Sequence, residues 1–88
     1  MMARKCDPFR IEVPDVFSSY QKARELVIAS GGFFGGNEQY GTFHGVSPLG
    51  AIHGTYAQVE GGFEIVITKK PFLAPCGTIE RRVRKFFA

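Results

Sequence analysis

Two histidines and two cysteines are the residues of this chain best suited to chemistry. His44 and His53 sit nine positions apart in a segment of alternating character, so a hairpin folding between them sets the imidazoles side by side. Two imidazoles can share a transition metal, but a structural zinc needs four ligands. Glu64 is set further along, and no Asp or Cys stands near the pair. The pair therefore reads as solvated cross-strand histidines, and no metal or other cofactor is expected. Cys6 and Cys76 form no CxxC and no zinc spacing. They read as free thiols, one near the chain start and one a small residue at a helix start. A disulfide between them lacks support in a chain with no export signal.

Other chemistries have less to stand on. Ser18, Ser19, Ser30 and Ser47 have no His–Asp pattern beside them, and Glu60 and Glu64 do not form a carboxylate pair. The run Ser30-Gly31-Gly32-Phe33-Phe34-Gly35-Gly36 resembles a phosphate-binding GxGxxG loop only loosely. It follows a helix, where that motif must open one. An enzyme is not expected.

Charge is the remaining candidate. Arg81, Arg82, Arg84 and Lys85 crowd the last segment, and Arg4, Lys5 and Arg10 lie near the start of a chain of net charge +3. Such clusters meet phosphates, anionic lipid or acidic partners. Cations near a helix C-terminus also answer its partial negative charge, which accounts for most of this cluster without a ligand.

The elements that position these residues follow from periodicity. Phe9, Ile11 and Val13 alternate with Arg10 and Glu12 as in a half-buried strand, and Pro14 ends it. Asp15 is placed to cap a helix on the stripe Val16, Tyr20, Ala23 and Val27, closed by Gly31-Gly32. Phe33-Phe34 reads as a brief strand and Gly35-Gly36-Asn37 as a tight turn. Three antiparallel strands are predicted over 39–46, 51–59 and 62–68, with turns at Ser47–Gly50 and Glu60-Gly61. That register sets His44 opposite His53. It also puts each bulky residue of one face by a glycine: Phe43 by Gly54, Tyr56 by Gly41 and Ile52 by Gly45. With Phe63, Ile65 and Ile67 this becomes the core face, and both helices should cover it. Tyr40, Thr42, the histidines, Thr55, Glu64, Val66 and Thr68 make the other face. A link, Pro71-Phe72-Leu73-Ala74-Pro75, leads into a basic amphipathic helix whose apolar stripe is Cys76, Ile79, Val83 and Phe86.

The expected fold is therefore α+β, in the order β-α-β-β-β(-β)-α: a curved antiparallel sheet of four to five strands with two helices packed on one face. A flexible N-terminus over 1–7 precedes a single domain over 8–88. With 88 residues and 44% hydrophobic content the chain is ordinary for one small domain. No apolar run approaches the roughly 20 residues of a membrane span. The basic start lacks an apolar core, so a cytoplasmic location is expected.

Several features together resemble the polyhydroxyalkanoic acid system proteins, small uncharacterised bacterial proteins associated with storage granules. They are Gly54, Phe63-Glu64-Ile65-Val66-Ile67, the 71–75 link and Ile79-Glu80-Arg81-Arg82-Val83. The likeness covers nearly the whole chain in topology and residues 40–87 in detail, while the run Gly31–Gly36 departs from it. It carries no catalytic residues and implies an accessory or binding role at a granule surface. Phe72, Leu73, Phe86 and Phe87 would then meet the granule or another protein, beside Arg81, Arg82, Arg84 and Lys85. The competing expectations are a homodimer built on the outer sheet face or a free edge, and a nucleic-acid or anion binder using the basic helix.

Overall fold

The computed structural model describes residues 6–47 and 50–87, with the side chain of residue 47 left aside. Its elements run β1 (Phe9–Glu12), α1 (Val16–Ala29), β2 (Phe33–Gly36), β3 (Tyr40–Ser47), β4 (Gly50–Val59), β5 (Gly62–Lys69) and α2 (Cys76–Phe87). The five strands form one open antiparallel sheet in the order β1-β5-β4-β3-β2. This is the α+β arrangement expected, with the fifth strand present. The predicted hairpin turn at Ser47–Gly50 shortens, because Ser47 pairs with Gly50; the intervening positions 48 and 49 lie outside the described residues, as do Arg4 and Lys5.

Local chemistry explains the boundaries. Asp15 caps α1 in extended conformation (φ −138°), accepting from the Ser18 backbone N–H at 3.2 Å and from its hydroxyl at 3.1 Å. A cap of this kind is worth about 1 kcal/mol. At the other end Gly31 takes φ +91°, its N–H donating to Ile28 O at 3.0 Å while that of Gly32 donates to Val27 O at 2.9 Å. Those paired bonds satisfy carbonyls the helix leaves open, a closure that favours glycine. The turn between β2 and β3 is built on Asn37, whose side-chain oxygen accepts from the N–H groups of Gln39 (2.8 Å) and Tyr40 (3.1 Å).

The registers on β3 and β4 place Gly41 by Tyr56, Phe43 by Gly54, His44 by His53 and Gly45 by Ile52, all as expected. The buried set gathers on that one sheet face and beneath both helices: Ile11, Phe34, Phe43, Tyr56, Phe63, Ile65 and Ile67 from the strands, with Ala23, Val27, Ile79, Val83 and Phe87 from the helices. Tyr56 is its centre. Its ring lies 5.0 Å from Phe34 and 6.0 Å from both Phe63 and Phe87, and its hydroxyl donates to Asn37 O. Burial, with Tyr20 adding to it, pushes the Tyr56 hydroxyl up to about 12, so it stays a neutral donor at ordinary pH.

Two expectations are corrected here. Cys6 and Cys76 are not free thiols: they form a disulfide, with Cα atoms 5.5 Å apart. Export signals bear on whether cysteines are oxidised, not on where the fold puts them. Strand order puts β1 beside β5, and the 71–75 link carries the chain back so that α2 begins next to the residue leading into β1. Cys6, inside the 1–7 segment, is thereby buried and tied to the domain. Phe87, expected on an interaction surface, is 1% exposed. The buried stripe of α2 is Ile79, Val83 and Phe87, rotated slightly from the expected one, and Phe86 is only partly buried.

Candidate functional site

The three glycine-and-bulky pairs of the core face do not share one fate. A Cβ on Gly54 would lie 2.7 Å from Phe43 Cζ, so the Phe43 ring fills the space over that glycine. A Cβ on Gly41 would lie 2.5 Å from Tyr56 Oη, so the second pair is filled as well. Gly45 differs. A Cβ there would meet nothing within 4 Å. Ile52 stands opposite but only partly buried, and the space over Gly45 stays open.

That space is the floor of an apolar groove of about 250 Å³. Phe43, Gly45 and Ile52 form the floor, with Val46 at the sheet end. Val27 and Ser30 at the end of α1 make one wall; Ile79, Val83 and Phe86 of α2 make the other, with Ala74 and Pro75 at its start. Thr78 and Arg82, four positions apart on α2, stand on the side that faces the groove. Arg82 is the only charged residue in the lining among the described residues. The volume sits a little under the 300–1,000 Å³ typical of ligand pockets.

The remaining basic residues of α2 are dispersed. Arg84 turns to the opposite flank, where it donates twice to Glu80 (3.0 and 2.7 Å) and lies over the Phe9 ring at 5.4 Å. Arg81 and Lys85 point to solvent. Four cations adjacent in sequence are thus three open ones and one engaged, which reduces the continuous stripe a phosphate backbone would track.

The link residues Phe72 and Leu73 are 71% and 73% exposed. They lead into the two link residues at the groove's entrance, but they do not line it. Lys70 braces the link, its ammonium donating to Pro71 O at 3.2 Å. On the opposite face of the sheet the imidazoles of His44 and His53 meet edge-on at 4.8 Å, and Phe33 lies 5.5 Å from His44. No group of three His, Cys, Asp or Glu side chains gathers there or elsewhere among the described residues. No described helix is long and apolar enough to cross a membrane.

Of the residues expected on an interaction surface, Arg82 and Phe86 line the groove; Gly45, Ile52, Phe43, Ser30 and Thr78 line it too and were not among them. The signal for them in the sequence is the third glycine, which reads there like the other two but has nothing within 4 Å of its added Cβ.

Fold and groove together define a class: a small open-sheet α+β domain with an apolar groove held between its last helix and its sheet. Compared with known proteins, the chain matches no protein-family model, no curated protein and no solved structure.

Proposed function

We propose that the protein is a non-enzymatic binding module that seats the apolar part of a small ligand in the groove beside α2. The observation that carries this reading is the unfilled space over Gly45, walled mostly by hydrocarbon. Concave, mostly apolar clefts are the usual seats of small ligands, and covering hydrocarbon surface otherwise left to water with something apolar is favourable. Gly45 has no positive φ, so a larger residue fits its backbone. Gly45→Leu is therefore expected to fill the groove from its floor. Titration with 1-octanol, followed by calorimetry and amide chemical shifts, should show saturable binding in the native chain and at least about tenfold weaker binding in the variant. Undiminished binding by a folded Gly45→Leu protein would sink the reading.

A granule-associated role, implied by the resemblance, is a second reading, favoured by the exposure of Phe72 and Leu73. Adjacent exposed apolar residues suit contact with an apolar surface. Co-sedimentation with polyhydroxyalkanoate granules should fall at least severalfold in the Phe72→Ser/Leu73→Ser double variant; equal sedimentation of the two proteins argues against it. The Cys6–Cys76 bond weighs on the setting. Disulfides persist in oxidising compartments and are rare in the cytoplasm, so the bond favours the former over the expected cytoplasmic location. The groove reading holds in either compartment and ranks first for that reason.

A further inference from the structure

We infer that the groove's ligand is an anionic single-chain amphiphile whose headgroup is held by Arg82, an assignment that rests on the groove reading above. Among the described residues the lining carries one charge, and that charge is positive. None of the chain's eight Asp and Glu residues lines the groove. The contrast with Arg84 two residues on is informative: Arg84 is paired with Glu80, while no carboxylate pairs with Arg82 among the described residues. An exposed guanidinium beside hydrocarbon walls suits a molecule with an apolar body and a negative end. Arginine also presents a planar fork of donors that matches a carboxylate.

Thr78 lies one turn before Arg82 on the same side of α2 and adds a hydroxyl at the mouth. Across from it, the Ser30 hydroxyl donates to Val27 O at 2.9 Å. Size narrows the class further. An apolar cavity of about 150 Å³ accepts one benzene, so by proportion this groove takes about ten carbons. A single medium-length acyl chain fits; a second chain would lie outside the groove.

The test compares octanoate with 1-octanol on the native chain, Arg82→Gln and Gly45→Leu. Octanoate is expected to bind about tenfold more tightly than octanol, and to lose that advantage in Arg82→Gln and at high salt. Octanol affinity should fall far less than octanoate affinity in Arg82→Gln, which separates loss of the charged headgroup contact from damage to the groove. Gly45→Leu should abolish both. Equal binding of octanoate and octanol overturns the headgroup assignment and leaves the binding-module reading standing. Binding of neither overturns both. Octanoate binding that survives Gly45→Leu places the anion elsewhere and overturns the assignment as well.

Discussion

Reducing the Cys6–Cys76 disulfide is expected to cost about 4 kcal/mol of folding stability. The bond joins residues separated by 70 positions. Chain-entropy bookkeeping gives about 3 kcal/mol for a 15-residue loop and about 4.7 for 100, with the logarithm placing this one near 4.4. A domain of 88 residues has about 4–13 kcal/mol in all. The crosslink is thus a large fraction of what holds the chain folded. At about 4–8 °C per kcal/mol, melting should fall by about 15–30 °C on addition of reductant. Thermal melts with and without reductant, repeated on Cys6→Ser/Cys76→Ser, measure it. A shift under about 3 °C would mean that the thiols contribute almost nothing to stability in solution.

Phe87→Ala is the second. The ring is fully enclosed, 5.2 Å from Phe63, 6.0 Å from Tyr56 and 6.3 Å from Phe43. Truncating a buried Phe removes its transfer free energy and leaves a cavity, for about 3–5 kcal/mol. Urea denaturation should show that loss, while Phe72→Ser, at a position 71% exposed, stays within about 0.5 kcal/mol of the native chain. Comparable losses at the two positions would contradict the burial of Phe87. With the disulfide also reduced, Phe87→Ala should leave little folded protein.

The two phenylalanines also show where sequence reasoning succeeds and stops. Strand registers were readable because a period of two leaves few choices: a slip of one residue would turn Phe43, Tyr56 and Ile65 to the solvent face. Asp15 and Gly31-Gly32 were readable because caps and closures have specific chemistry. Which of Phe86 and Phe87 enters the core was not. Both lie within one helical step of the stripe, and the roll of α2 on the sheet decides between them. The groove escaped for the same reason. Gly45 and Ile52 look in sequence like the other two glycine pairs, and only the assembled fold shows that no side chain reaches the space over Gly45. The disulfide depended on a neighbourhood made by β1 joining β5, a contact between opposite ends of the chain.

That strand order has a consequence for how the chain is made. Strands β2 to β5 pair with sequence neighbours through short turns, whereas β1 pairs with β5, with Phe9 opposite Ile65. Closing the long loop to β1 costs entropy that the local hairpins avoid. During synthesis, Phe9, Ile11 and the Cys6 thiol emerge ahead of the meander, and their partners emerge more than fifty residues later. The meander can assemble while the first strand waits, its apolar face uncovered and its thiol unpaired. The last helix then supplies Cys76, so the covalent seal can form only after all five strands have been made.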